Sequence, residues 1–129
     1  MYPSGQAQVA AGAAVADGST YSVAYEVRLS QGAYPGVSRA AHYQMGNEAL
    51  LSAMEGDAAF ARTMQNCGVR LQRTATGLAP RTPPGGWTWH HAPESGVLEL
   101  VPRSQHTAGG IWWSTLHPNG QGGYSIWGK

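Results

Sequence analysis

The sequence predicts an α+β domain: a helical front, then a back built as strand, turn, strand and the start of a further helix. Three observations carry this. From Arg39 to about Glu55 the apolar residues Tyr43, Leu50, Leu51 and Met54 share one helical stripe. Trp87-Thr88-Trp89-His90-His91 and Val97-Leu98-Glu99-Leu100-Val101 are two strand signatures around the turn sequence Ala92-Pro93-Glu94-Ser95-Gly96, which together predict a β-hairpin. Between front and back, Thr74 to Gly86 holds Pro80, Pro83, Pro84, Gly77, Gly85 and Gly86, and excludes any regular element.

The elements follow in order. Residues 1–20 are mostly Ala, Gly, Ser and Gln with little to bury, and are expected to be a flexible lead-in. Tyr21 to Leu29 alternates in part and is rich in Val and Tyr, which predicts a strand. Tyr34-Pro35-Gly36 turns the chain, and Ser38 caps the helix that follows. Asn47 falls on the apolar stripe of that helix, where an unpaired amide is costly, so a specific partner is expected. Arg39, His42, Gly46, Ala49 and Ala53 form a second face of mostly small residues suited to close packing, with His42 read as a packing histidine. Asp57 caps a second helix to about Asn66, and Gly68 ends it. Cys67, near that helix end, is expected to be a small buried apolar residue. After the hairpin, Pro102-Arg103-Ser104 stops the strand and opens a helix through His106. Gly109-Gly110 interrupts it, Ile111 to Leu116 is apolar, and a last short strand is expected from Tyr124 to Trp127. One domain over 21–129 follows, with its helical part at about 38–68 and its hairpin and following segment at about 86–117.

Composition narrows the function. A chain of 129 residues suffices for one domain with its own core. The single cysteine excludes an intramolecular disulfide framework and a multi-cysteine zinc site. The longest apolar run, Val9 to Ala16, is too short to span a bilayer, and no basic residue precedes it as a secretory signal would require. Export would therefore need another route or a longer carrier. The net charge of +1 conceals an asymmetry: residues 1–57 sum to −3 and residues 58–129 to +4. The basic half also holds four of the five histidines, and seven of the eight basic residues are arginine, whose planar fork suits phosphate. Charge alone favours a solvated surface, and the asymmetry adds weight to an anionic ligand.

The histidines bring chemistry. Adjacent His90 and His91 at a strand end point to opposite faces, so one reaction can use both only by dividing the labour. One imidazole can hold a metal while the other faces the reacting water, and His106 follows as a further nitrogen ligand.

Gly86-Trp87-Thr88-Trp89-His90-His91, then Leu98-Glu99-Leu100-Val101-Pro102-Arg103, then His106-Thr107-Ala108-Gly109-Gly110, resembles the HNH nuclease superfamily. The closest branch is the one named for Trp-His-His, found as toxin domains of bacterial polymorphic toxins. The resemblance implies a ββα-metal, treble-clef-like core around one divalent ion (Mg, Zn, Ni or Mn). It implies His90 and His106 as metal ligands and His91 as general base. A third histidine ligand is implied within about two turns of His106, but the next histidine is His117. One continuous helix would put them roughly 16 Å apart, so His117 takes that place only if the double glycine folds the chain back. The middle Asn of the motif is missing, which leaves orientation of the base to a backbone carbonyl or to Glu99.

The implied activity is metal-dependent hydrolysis of double-stranded DNA by a toxin domain. Arg103, Arg81 and Arg73 are candidates for phosphate contacts, with Arg70 beside them. Implied partners are a dedicated immunity protein, acidic where it meets the basic half, and a larger secreted carrier of which this domain is the C-terminal part. Such a toxin is secreted or injected and acts in the target-cell cytoplasm. An RNase on the same scaffold is the nearest alternative, since nothing in the motif reads the sugar. A non-catalytic module binding nucleic acid or glycan through Trp87, Trp89, Trp112, Trp113 and Trp127 is another. In a chain with a single Phe, most of these tryptophans are expected in the core.

Overall fold

The computed structural model describes residues 5–8, 13–16, 19–33, 36–106 and 122–128. Helix α1 runs Arg39–Gly56 and helix α2 Ala58–Asn66. The capping residues account for both starts. Ser38 Oγ accepts from Ala41 N, and Asp57 Oδ1 accepts from Ala59 N and Phe60 N, each satisfying donors that the first helical turn leaves open. Gly68, at φ +88°, turns the chain out of α2.

Among the described residues there are six strands: β1 Gly5–Gln8, β2 Ala13–Ala16, β3 Ser19–Ser22, β4 Tyr25–Leu29, β5 Trp87–His91 and β6 Val97–Pro102. An antiparallel sheet has the order β1-β4-β6-β5, and β2 pairs with β3 separately. The hairpin forms as expected, and β6 joins it to β4, so front and back meet in one sheet. Register then sorts the side chains. Tyr25, Val27 and Leu29 share one face with Leu98, Leu100, Trp89 and His91, while Glu26, Glu99 and His90 share the other. The core lies on the first face, where Tyr25, Val27, Leu50, Met64, Trp89, Leu98 and Leu100 are all buried.

Helix α1 is buried on two faces, and polar chemistry explains the second. Asn47 Nδ2 donates to the carbonyls of Pro80 (2.9 Å) and Thr82 (2.7 Å), and its Oδ1 accepts from Trp89 Nε1 (2.7 Å). The expected partner of Asn47 is thus the proline-rich connector together with a strand tryptophan. Gly46 lets the helix approach that indole: a Cβ there would lie 2.9 Å from Trp89 Cε2.

Several expectations are corrected. The lead-in contributes strands β1, β2 and β3, because strand pairing is made by backbone groups and does not require apolar side chains. The strand expected over Tyr21 to Leu29 divides at Val23–Ala24 into β3 and β4. Cys67, the C-cap of α2, is exposed; the core residues flanking it are Met64 and Val69. Arg103–Gln105 is one turn of 3-10 helix that ends at His106, and residues 107–121 lie outside the described residues. The expected helix beyond His106, His117, Trp112 and Trp113 therefore fall outside the description. Trp89 and Trp127 are core residues, and Trp87 packs partly buried against them.

The last strand expected is instead a π-helical turn, Tyr124–Gly128. Tyr124 OH donates to Val37 O (2.8 Å) and Trp127 Nε1 to Ala92 O (2.6 Å). Side chains three apart can serve one side on a helical turn but lie on opposite faces of a strand. Gly123 packs against the backbone of His91 and Ala92, where a Cβ would overlap their carbonyl oxygens. The C-terminal turn is thereby fastened to the end of β5.

Candidate active site

His90 and His91 project from opposite faces of β5, which among the described residues is the last strand of the sheet. Each meets one other imidazole. On the face away from α1, His90 Nδ1 lies 3.1 Å from His106 Nε2, with the rings tilted at 56°. On the α1 face, His91 Nε2 lies 3.1 Å from His42 Nδ1. Both residues of the second pair are buried, as is His90.

The two pairs have different surroundings. His91 sits in an aromatic box, with ring centroids of Tyr124, Trp127 and Tyr43 at 5.1, 5.3 and 6.1 Å. Burial there disfavours the charged imidazole and lowers its pKa to about 3, helped by the charges of His42, Arg39 and His106. Arg39 is exposed at the start of α1 and stacks its guanidinium 4.2 Å above the Tyr124 ring. Neither Arg39 nor Tyr124 stood out in the sequence, because their closeness to His91 arises from the C-terminal turn.

The His90–His106 pair fits a shared cation. Two imidazole nitrogens 3.1 Å apart face each other, closer than the sum of two nitrogen–metal bonds of about 2.0–2.1 Å. Glu99 lies directly across from His90 in the β5–β6 register and on the same face. That placement removes Glu99 as the group orienting His91, which faces the other way. Among the described residues no cluster of three or more His, Cys, Asp or Glu is gathered tightly enough to enclose an ion. The pair could supply two of an ion's ligands.

The arginines divide. Arg73 is bound by Glu48 (2.7 and 2.9 Å) and Glu55 (2.8 and 2.9 Å) and also donates to Gly77 O. These bonds hold the Arg73 pKa above its ordinary value and lower those of both carboxyls. Arg73 therefore fastens the connector to α1, and its guanidinium is engaged by two carboxylates. Arg81 is exposed, with Nε 3.3 Å from Gln44 Oε1, and Arg103 is exposed on the 3-10 turn beside His106. Arg70 lines a separate cavity of about 350 Å³ with Met54, Val69 and Leu71.

Residues 80–129 match a nuclease family. The family is described as WHH, a nuclease of the HNH/ENDO VII superfamily with conserved WHH. The WHH match begins in the connector and takes in both strands of the hairpin, His90, His91 and His106; α1 and His42 lie outside it. No curated protein and no solved structure matches the chain. The α+β architecture is consistent with an HNH-type domain, and the WHH match supports a nuclease, a hydrolase of phosphodiester bonds. HNH nucleases generally use a divalent metal ion, which agrees with the donor set of His90 and His106.

Proposed function

We propose that the protein is a metal-dependent DNA endonuclease that acts as a bacterial toxin domain. The observation that carries the reading is the pairing of His90 with His106 on one side of β5, with His91 beside them on the other. His90 and His106 are the residues that would hold the divalent ion. That ion, when bound, supplies Lewis-acid stabilisation of the charge that develops on phosphate and on the departing oxygen.

The remaining work falls to the protein's own groups. His91 is neutral in the protein alone, so its imidazole is ready to accept the proton of a water aimed at phosphorus. An anionic phosphodiester beside it favours the protonated imidazole and strengthens it as a base. Arg39, whose charge acts on His91, is placed to hold a nonbridging oxygen, while Arg81 and Arg103 are further phosphate contacts along the duplex.

An immunity protein carrying acidic side chains over the basic half, and a larger secreted carrier, complete the proposal. The toxin would act in the target-cell cytoplasm. Supercoiled plasmid and a structured RNA, each incubated with Mg²⁺, Mn²⁺, Zn²⁺ or Ni²⁺ and with chelator, test the activity. Metal-dependent nicking of plasmid alone is expected. Cleavage of RNA alone would move the substrate to RNA, and no cleavage of either would end the nuclease reading.

A further inference from the structure

The base position has an orienting partner that the WHH segment does not contain. His42 is fully buried in α1, and its Nδ1 faces His91 Nε2 at 3.1 Å. Two imidazole nitrogens at this distance need one proton between them, since two lone pairs or two N–H groups would repel. The proton's location decides the chemistry. If His42 Nδ1 donates, His91 accepts at Nε2, carries its own proton at Nδ1 and has no lone pair left for water. If His91 Nε2 donates, its Nδ1 lone pair is available.

Resting on the nuclease reading above, we propose that His42 is the positioning residue for His91: its Nδ1 accepts from His91 Nε2–H and fixes the tautomer whose Nδ1 takes the proton of the attacking water. His42 comes from helix α1, and the close contacts at Gly46 and Asn47 hold that helix against β5. His42 also lies 5.7 Å from Trp127, ring centroid to ring centroid, so the C-terminal turn closes over both imidazoles. Glu99, on the opposite face, has no part in this.

Three variants separate positioning from packing. The Asn amide reaches the place of an imidazole Nδ1, whereas the longer Gln amide reaches the place of Nε2. His42→Asn should therefore retain plasmid nicking near the wild-type rate. His42→Gln and His42→Ala should lose about 10²-fold, the scale of a misplaced catalytic group. Metal affinity by calorimetry should be unchanged in all three. Long-range ¹H–¹⁵N NMR of the metal-free protein gives a readout independent of activity: His91 should be the Nε2–H tautomer in wild type and in His42→Asn. The Nδ1–H tautomer in wild type would overturn the proposal, as would wild-type nicking by both His42→Gln and His42→Ala. If wild type shows the Nε2–H tautomer yet cleaves nothing, the nuclease reading and the catalytic role fall together, and the hydrogen bond stands.

Discussion

Replacing Asn47 by Leu removes the amide that joins helix, connector and hairpin. Three hydrogen bonds are lost, to Pro80 O, Thr82 O and Trp89 Nε1, while the side-chain volume is roughly kept. A buried polar group left without its partner costs about 1–3 kcal/mol. Trp89 is fully buried, so its indole N–H bears the full cost. Pro80 is half-buried and Thr82 exposed, so their carbonyls can recover part of theirs from water. The expected loss is about 2–5 kcal/mol, a large share of the roughly 5–15 kcal/mol that stabilises a typical domain. Chemical denaturation followed by tryptophan fluorescence measures it. Asn47→Asp should also destabilise, because it sets a carboxylate against two carbonyls. An Asn47→Leu midpoint equal to wild type would refute the bridging role.

Other outcomes follow from the same geometry. Gly46→Ala places a methyl against the Trp89 ring and should cost about 1–3 kcal/mol, read as a lower thermal midpoint. Because the folded-state pKa of His91 lies near 3 and the unfolded value near 6.5, the unfolded chain binds the extra proton between these values. Its contribution to stability is therefore full above pH 6.5 and falls by about 1.4 kcal/mol per pH unit below it, a slope that His91→Gln should remove in denaturant titrations at pH 7.5 and 5.5. Arg73→Ala should lower the thermal midpoint but leave nicking at the wild-type rate, whereas Arg39→Ala should slow nicking with little change in the midpoint; the reverse pattern would return Arg73 to the phosphate contacts.

The helices and hairpin were legible because their signals are local. Ser38 and Asp57 cap, Gly68 terminates, and the largely apolar run 97–101 after a turn marks β6. Asn47 was legible as a residue needing partners, though nothing local said that Pro80, Thr82 and Trp89 would supply them. His42 illustrates the limit. On a small-residue face beside Gly46 and Ala49 it reads as packing, and its contact with His91 spans 49 positions. The same holds for Tyr124 and Trp127, whose three-residue spacing was the one available hint of a helical turn, and for Arg73, whose partners Glu48 and Glu55 sit on one face of α1. Strands β1 and β2 left no trace, because their small and polar residues pair through backbone groups.

The central claim is a division of labour across β5: His90 with His106 holds the metal, and His91 moves the proton. Calorimetric metal titration of wild type, His90→Ala, His106→Ala and His91→Ala, run beside plasmid nicking, tests it most directly. His90→Ala and His106→Ala should weaken metal binding and regain part of their activity at higher metal concentration. His91→Ala should bind metal as wild type does and still lose about 10²–10⁴-fold in rate. Loss of metal by His91→Ala with full binding by His90→Ala would contradict the assignment, as would unchanged binding and cleavage in all three variants.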